Sequence, residues 1–539
     1  MFYGVMPIRY RNAPALSTKN PYFVGKPKIL AMKHLLPFCL LAILWATGCQ
    51  NAPEELDTPL LGEGDSLSQA ITRPEAPPLA AQLHEAFEQF REPVIKDLRF
   101  KHADIEPLIN DLPDDFEVEK LGSSLEGRAI YEVRIGSGSV PVLLWSQMHG
   151  DEPTATMAIM DIFNFFKASG DGFDSLRDWI TSELTLHFIP MLNPDGTERY
   201  QRRNVLDIDL NRDALRLQSP ESKILKAARD RTQAVWGFNL HDKNRYYAAG
   251  DSPKTASVSF LAPAFNAEKD INEDRANAMQ LIVLMDEVLQ QYIPGMTGRY
   301  DDTFEPRAFG DNMQKWGTNT ILIESGGLKE DREKQYLRQL HFTILLTAFR
   351  SIADGSFESW PQEAYEDIPY NDSGAFYDFI LRNATRMYED QPFVTDLAWR
   401  HREIDVDDAR AYYLRGSISD LGDLSTYHGY EELDATGYTI VPGKLYPQAL
   451  PDVSALRQKD IRGLLSQGYT DFAVTNRPPA QASARWPVAL IAPGKQPNNA
   501  IYQYGNPSFL LEKNGRYDYA VVNGFAYDLR EDLPAFKLP

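Results

Sequence analysis

The sequence predicts an α/β fold with a mixed, largely parallel sheet flanked by helices, followed by a smaller, mostly β domain. Three observations lead to this prediction: nearly unbroken apolar runs at 184–192, 235–241 and 319–324, helical patterns between them, and a change to short strands and turns after Gly355. Apolar runs of this length are typical of strands buried on both faces, and their alternation with helices is typical of parallel sheets.

The other elements follow along the chain. Residues 80–110 carry a helical spacing of apolar side chains, and alternation with Gly-Ser turns between 116 and 148 predicts strands. The stretch from Glu152 to Gly170 predicts a helix with one apolar face. Further helices are expected at 220–231, 267–292 and 328–352. In the β-rich region, only Val406–Leu414 has a helical pattern.

Length and charge bound the organisation and the partners. A chain of 539 residues predicts two or three domains. We expect a leader at 1–49, a disordered tether at 50–78, a catalytic domain at 79–355, a linker at 356–375 and a β-rich accessory domain at 376–539. The formal net charge of -21 argues against nucleic acid and against an anionic membrane surface as partners.

The leader predicts the compartment. Met32 is the better start, because a short positive segment and the apolar run Leu35–Trp45 follow it, and that run is too short to span a bilayer. Ala46-Thr-Gly-Cys49 resembles a bacterial lipoprotein cleavage site, with an ordinary signal peptide as the alternative. The resemblance implies an exported protein in the bacterial cell envelope, on its periplasmic face or surface, that contacts the membrane only through a lipid on Cys49.

Three predicted strands end near residues that are able to do chemistry. His149 and Glu152 follow the strand that ends near Met148, and His241 and Glu324 end two others. Because ligand sites of parallel sheets lie at the carboxyl ends of strands, we expect these four side chains at one edge. Two imidazoles and one carboxylate leave the fourth position of a zinc ion open for water, as in catalytic sites. The sequence therefore predicts one Zn²⁺ per chain, bound by His149, Glu152 and His241.

The remaining carboxylate and a polar segment complete this constellation. Zinc lowers the pKa of its water, and Glu324 is the natural candidate for the base that takes the proton during attack on a carbonyl. The segment NPDGTERYQRRNVLDIDLNRD (193–213) supplies cations for an oxyanion and for a terminal carboxylate, since arginine binds carboxylates through paired hydrogen bonds. Its candidates are Arg202, Arg203, Asn204, Asn211 and Arg212.

In this combination and order, the motifs resemble the zinc carboxypeptidase family of carboxypeptidase A, over residues 110–352 or so. HGDE matches the His-x-x-Glu zinc motif, and NPDG followed by Arg-x-Asn and DLNRD matches the central signature. NLH matches the third ligand, and ILIESGG matches the catalytic glutamate. The resemblance implies that Glu324 is the general base and that Arg202, favoured over Arg203 by the Arg-x-Asn spacing, polarises the scissile carbonyl.

The resemblance also implies a substrate, a peptide with a free C-terminal carboxylate held by Asn211 and Arg212. Tyr300 is the best candidate for the family's mobile tyrosine, although its loop departs from the family pattern. Arg307 could favour an acidic side chain, but an exposed loop arginine is the simpler interpretation. The preferred residue and the oligomeric state cannot be read from the sequence.

Several functions remain open at this point. The first is a zinc-dependent exopeptidase, with a cell-wall stem-peptide (murein) peptidase as a narrower form. An aspartoacylase-like deacylase of N-acyl amino acids shares His-x-x-Glu, an Asn-Arg pair and a later glutamate. A non-catalytic binding protein on this fold predicts loss of a ligand or of the base, and none is missing here. Short motifs after residue 376 resemble the β domain of amidohydrolases without its barrel, and a generic β-sandwich is the alternative.

Overall fold

The computed structural model describes residues 71–531. The predicted leader with Cys49, and the predicted tether up to residue 70, lie outside the described residues. The described residues form one compact unit, and the domain boundaries expected within it stay predictions. Within residues 71–531, none of the helices combines the length and the apolar composition that crossing a membrane requires.

Most of the helices lie on the faces of the first of two eight-stranded sheets, and the last three, short helices lie in the β-rich region. Their bounds are α1 (Pro78–Ala86), α2 (His102–Asn110), α3 (Thr154–Lys167), α4 (Asp174–Glu183), α5 (Pro194–Arg199), α6 (Pro220–Thr232), α7 (Glu273–Gln290), α8 (Phe309–Lys315), α9 (Gln335–Asp354), α10 (Ser454–Arg457), α11 (Ile461–Ser466) and α12 (Ala480–Ser483). Helices α1, α3, α7 and α9 bury their apolar faces in the main core, whereas α6 and α8 pack on the opposite face.

The first of the two eight-stranded sheets is mixed. Its strands are β1 (Glu117–Ser123), β2 (Ala129–Ile135), β3 (Val140–Trp145), β4 (Leu184–Ile189), β5 (Trp236–Asp242), β7 (Val258–Leu261), β8 (Thr297–Arg299) and β9 (Asn319–Ser325), and the short β6 (Tyr247–Ala249) lies outside it. The eight strands of this sheet run in the order β1-β2-β4-β3-β5-β9-β7-β8. The central strands β4, β3, β5 and β9 are parallel, as the apolar runs predicted.

Side-chain alternation explains why the central strands read as continuous apolar runs. Leu144, Phe188 and Phe238 face the main core, while Leu143 and Trp145 face the second core beneath α8. Both faces of these strands are therefore covered, and the proposed site residues His241 and Glu324 lie toward the carboxyl ends of β5 and β9. This burial confirms the predicted fold class and leaves one polar edge at which a site can form.

A buried ion pair joins α3 to α9. Arg338 Nε lies 2.6 Å from Asp161 Oδ2 and Nη2 lies 2.5 Å from Oδ1, and neither side chain has exposed surface. Burial raises the pKa of Asp161 to about 6, although Arg338 opposes the shift. The pair depends on both partners, because either charge alone would be buried without compensation.

The residues after 370 form β structure. The strands are β10 (Asn371–Ser373), β11 (Phe376–Tyr388), β12 (Gln391–Val406), β13 (Ala411–Gly422), β14 (His428–Asp434), β15 (Thr439–Val441), β16 (Lys444–Leu445), β17 (Leu450–Asp452), β18 (Tyr469–Asn476), β19 (Ala489–Ile491), β20 (Phe509–Lys513), β21 (Arg516–Val522) and β22 (Phe525–Asp528). Strands β11–β15 and β20–β22 form one sheet, β16–β19 form a smaller one, and β10 pairs with β6.

Two expected helices differ from the structure. The helical spacing over 80–110 is interrupted between Phe90 and His102, where Pro93 removes a backbone donor and disfavours a helical residue before it. The helix expected at Val406–Leu414 was wrong. Residues Asp407, Asp408 and Ala409 have positive φ angles, so the chain turns there and β12 pairs with β13 in a hairpin.

Candidate metal centre

Two histidines and a glutamate converge at the carboxyl edge of the sheet. His149 Nδ1 lies 2.8 Å from Glu152 Oε1, and His241 Nδ1 lies 2.6 Å from Glu152 Oε2. One ligand atom from each of the three side chains falls within 4.8 Å of the others, and all three residues are buried. The structure therefore brings together the three zinc ligands that the sequence predicts. The same ring nitrogen of each histidine, Nδ1, faces the carboxylate.

Local structure fixes these ligands. His149 and Glu152 lie in the turn between β3 and α3, where the backbone N–H of Glu152 donates to the His149 carbonyl at 3.2 Å. An added Cβ at Gly150 would overlap the backbone of Gly196, so only glycine lets this turn pack against the NPDG segment. Asn193 caps α5 by accepting from Gly196 N at 2.9 Å. The HGDE and NPDG motifs are thus two halves of one packed corner.

The donor set fits zinc. Imidazole nitrogens and a carboxylate are typical ligands of catalytic zinc sites, and the other nitrogen of a ligating histidine is usually held by a hydrogen bond. His149 Nε2 lies 3.0 Å from Asp209 Oδ1, so Nδ1, which faces Glu152 and Arg202 Nη1, is the nitrogen that would bind a metal. His241 Nε2 is buried without a partner among the described residues.

The electrostatics of the centre come from close opposite charges. Although burial opposes both shifts, the histidines hold the pKa of Glu152 well below its usual range, and the carboxylates of Glu152 and Asp209 raise the pKa of His149 to about 9. The centre therefore carries a carboxylate that stays ionised and an imidazole that must lose a proton before it binds a cation.

Arg202 reaches this centre and Arg203 does not. Arg202 Nη1 lies 3.1 Å from Glu152 Oε1, and its Nε lies 3.1 Å from Asp209 Oδ2. Arg203 instead donates to the backbone carbonyl of Asp207 at the exposed rim. Asp209 was not singled out in the sequence, although it begins the DLNRD motif, and it links His149 to Arg202.

Asn211 and Arg212 lie in a short turn after Asp209. Asn211 Oδ1 accepts from the backbone N–H of Phe309 at 2.9 Å, which ties the turn to the start of α8. Arg212 lines the cleft, with its Nε 3.5 Å from Glu305 Oε2. Arg307 is exposed and makes two hydrogen bonds to the Glu305 carboxylate, so its charge is matched by a neighbour on its own loop.

Glu324 lies next to His241 across the sheet. The two residues pair directly in the register of β5 and β9. Burial raises the pKa of Glu324, and the nearby Glu152 acts in the same direction. Burial also raises the pKa of Tyr300, together with the charge of Glu324 and a hydrogen bond to that carboxylate. The structure thus brings both Tyr300 and His241 beside Glu324.

Lys243 was not singled out in the sequence. It lies two residues after His241, and its Nζ donates to Ser259 Oγ and, at 3.2 Å, to Asn371 Oδ1. Burial lowers its pKa to about 7, against the attraction of Glu324. No pattern along the chain signals this contact, because Asn371 is more than a hundred residues away.

These side chains open onto one cleft of about 690 Å³. Of the predicted site residues, Glu152, Arg202, Arg212, Tyr300 and Glu324 line it directly. His401 and Glu403 of β12 also line it, so the β-rich region contributes to the walls of the cleft. A volume of this size is typical of sites that enclose small molecules or short segments of a longer ligand.

Comparisons with known proteins point to one family. Residues 102–255 match the family model described as zinc carboxypeptidase. Carboxypeptidase SOL1 of Arabidopsis thaliana is 26% identical over 176 residues, which cover 27% of this chain and 35% of that protein. The chain thus spans about a third of that relative's length.

Solved structures of metallo-carboxypeptidases are also similar. The Burkholderia cenocepacia protein is 18% identical, with 48% of this chain and 69% of that chain covered and a TM-score of 0.38. The Pseudomonas aeruginosa protein, in complex with (2-guanidinoethylmercapto)succinic acid, is 16% identical, with 47% and 69% covered and a TM-score of 0.36. The segment that matches the family model, 102–255, contains His149, Glu152 and His241.

Proposed function

We propose that this chain is a zinc-dependent exopeptidase that hydrolyses peptides at their C-terminal residue. The observation that carries the proposal is the convergence of His149, Glu152 and His241, with Glu324 paired to His241 in the sheet register. The family match over 102–255 supports peptidase chemistry in the same region. Glu324 lies beyond that match, so its role rests on its position.

The zinc ion would be held by His149, Glu152 and His241. When bound in such a site, zinc is a Lewis acid that polarises a carbonyl group and makes a water molecule more acidic. Asp209 keeps His149 oriented for binding through its hydrogen bond to Nε2. Because the three ligands are buried, the electrostatic interactions among them are stronger than they would be in water.

Glu324 would act as general base and then as general acid. It takes a proton from the attacking water as the new C–O bond forms, and it gives that proton to the leaving amine as the C–N bond breaks. Its raised pKa makes it a stronger base than an exposed glutamate. Arg202 stabilises the oxygen that gains negative charge, because Asp209 and Glu152 hold its guanidinium in place.

Asn211 and Arg212 would bind the terminal carboxylate of the peptide. Arg212 lines the cleft, and its guanidinium is only loosely engaged by Glu305 at 3.5 Å. A guanidinium recognises a carboxylate through two parallel hydrogen bonds, so a free C-terminus is positioned more firmly than a mid-chain segment. Tyr300 lies beside the base and would cover the substrate from that side.

The test is cleavage of defined peptides by the purified zinc-loaded protein, followed by mass over time. Loss of single C-terminal residues is expected, and Glu324→Gln should abolish it while zinc content is kept. Amidation of the peptide C-terminus should slow cleavage strongly, since Arg212 then loses its charged partner. Cleavage that ignores amidation would contradict the exopeptidase proposal.

A matched pair of histidine variants tests the metal site. His241→Asn should lose zinc and activity together. His187→Asn removes a buried histidine of β4 that contacts Glu132 instead, at 3.0 Å, and it should keep stoichiometric zinc. Equal zinc loss in both variants would show that folding, not ligation, is measured.

The alternatives from the sequence are outcomes of the same assay. Change in purified muropeptides alone would assign the protein to stem-peptide cleavage in the cell wall. Turnover of N-acyl amino acids without peptide cleavage would assign it to the deacylases. The envelope location and the lipid on Cys49 belong to this proposal too, and a shift in mass of Cys49-containing fragments from membranes would test them.

A further inference from the structure

One wall of the cleft holds a cluster of charged groups away from the metal ligands. Arg245 and Arg332 line this wall together with His401 and Glu403 of β12. Asp378 of β11 lies behind them and is buried. The cluster therefore joins the loops after β5 and β9 to the β-rich region, at the surface of the cleft.

The Asp378 carboxylate accepts hydrogen bonds from three donors. Oδ2 accepts from Tyr246 Oη at 2.6 Å and from the backbone N–H of His401 at 2.7 Å, while Oδ1 accepts from Arg332 Nη2 at 3.1 Å. Arg332 also lies 3.5 Å from Glu403. These contacts leave Asp378 with little capacity to neutralise another guanidinium.

Arg245 is the less closely paired of the two guanidinium groups near Asp378. Its closest carboxylate oxygen, Asp378 Oδ1, lies 3.6 Å from Nε, and Nε has no hydrogen-bond partner among the described residues. The guanidinium lies over the Tyr430 ring at 4.0 Å, and the side chain is 17% exposed. Because Nε is buried without an acceptor and the ion pair with Asp378 is long, an anion from the cleft would stabilise this guanidinium.

The position of Arg245 places this anion relative to the proposed chemistry. An added Cβ at Gly327 would overlap both Arg245 and Tyr430 Oη, so Arg245 lies beside the chain that follows Glu324. Arg212, by contrast, contacts Glu305 and the backbone of Asn211. The two guanidinium groups have different partners, and both line the same cleft.

We infer that Arg245 binds a second carboxylate of the peptide substrate, on the amino side of the bond that is cleaved. The inference rests on the proposed exopeptidase function, in which Asn211 and Arg212 take the terminal carboxylate. On the carboxyl side of the cleaved bond the peptide has only the residue that is released. We therefore assign a carboxylate at Arg245 to the part of the peptide that precedes this bond. The substrate class is peptides with an acidic residue before the C-terminal one.

The experiment compares peptide pairs that differ only by Glu or Gln, placed at the C-terminal residue or at either of the two residues before it. The wild-type kcat/KM should favour Glu over Gln roughly ten- to hundredfold at one of the two preceding positions, as for a charge-assisted hydrogen bond. Arg245→Gln should remove this preference with little change for the Gln peptide, and Arg245→Lys should keep part of it.

Arg400→Gln is the matched control. Arg400 lies over Tyr246 at 4.2 Å and donates to backbone carbonyls of Gly374 and Phe376, so its loss changes packing without removing a cleft cation. This variant should keep the Glu preference of the wild type even if it unfolds at a lower temperature. A Glu preference lost equally in both variants would overturn the inference.

The wild-type comparison decides the inference even if the variants fold poorly. No Glu preference at either preceding position, or a preference at the C-terminal residue, would overturn it. Binding of the same peptide pairs to the Glu324→Gln protein separates this inference from the proposed function. If the wild type cleaves no peptide, the exopeptidase proposal fails. A lower Kd for the Glu peptide than for the Gln peptide that requires Arg245 would still support the anion subsite. Equal Kd values for the two peptides would refute the subsite.

Discussion

Replacing Asp209 with asparagine is expected to weaken zinc binding by roughly ten- to hundredfold. Asp209 Oδ1 lies 3.0 Å from His149 Nε2 and Oδ2 lies 3.1 Å from Arg202 Nε. Although burial opposes the shift, both partners hold the pKa of Asp209 below its usual range, so the group is ionised at neutral pH. Asparagine keeps the shape but not the charge. A hydrogen bond to a charged group contributes about 1.5–3 kcal/mol, and about 1.4 kcal/mol is tenfold in Kd.

The assay is competition for zinc with a chromophoric chelator near neutral pH. Asp213→Asn is the matched control, because Asp213 is buried in the same segment and accepts from the backbone of Gln218 and Ser219, both at 2.9 Å, without touching the metal ligands. The control should unfold at a lower temperature but bind zinc as tightly as the wild type.

Two results would refute this reasoning. If Asp209→Asn binds zinc as tightly as the wild type, the hydrogen bond to His149 does not contribute to ligation. If Asp213→Asn weakens zinc binding as much as Asp209→Asn, the effect comes from loss of order in the segment. Intact zinc binding with lower kcat in Asp209→Asn would assign the residue to holding Arg202 instead.

Three further predictions concern stability, pH and the tyrosine. Arg338→Met should lower the free energy of unfolding in urea by about 3–5 kcal/mol, because it leaves the Asp161 carboxylate buried and unpaired. Zinc binding should strengthen with pH, because bound zinc displaces a proton from His149, whose pKa is about 9. The log of the association constant should rise with a slope of about one and level near pH 9. A flat chelator-competition profile would contradict this prediction. Tyr300→Phe should move the acidic limb of the kcat/KM profile to higher pH, because the lost hydrogen bond had favoured ionised Glu324; an unmoved limb would exclude that contact in the working enzyme.

The sequence predicted the parts of the site that depend on strand ends. His149, His241 and Glu324 each follow an apolar run, and the parallel register brings them to one edge without further information. Asp209 was missed because its contact with His149 spans 60 positions and depends on how a turn folds back. The choice of Arg202 over Arg203 could be made from spacing, whereas the partners of Arg245 could not, since they come from β11 and β14.

Local patterns failed where non-local pairing or a backbone constraint prevailed. The Val406–Leu414 stretch has helical spacing, but its turn residues adopt left-handed angles and the long β12–β13 ladder fixes them. At 80–110 the apolar spacing is correct for packing, yet Pro93 divides it into separate short elements. In both places the apolar residues were read correctly and the backbone between them was not.

The β-rich region has a consequence for how this protein can change over evolution. Asn371 contacts Lys243, Asp378 supports Arg332, and His401 and Glu403 face the cleft. None of these residues belongs to the proposed metal or proton-transfer machinery. Under the proposed function, substitutions in strands β10 to β12 would change the walls of the cleft without replacing a proposed zinc ligand or the proposed base. Joining the residues before 371 to another domain would remove part of those walls.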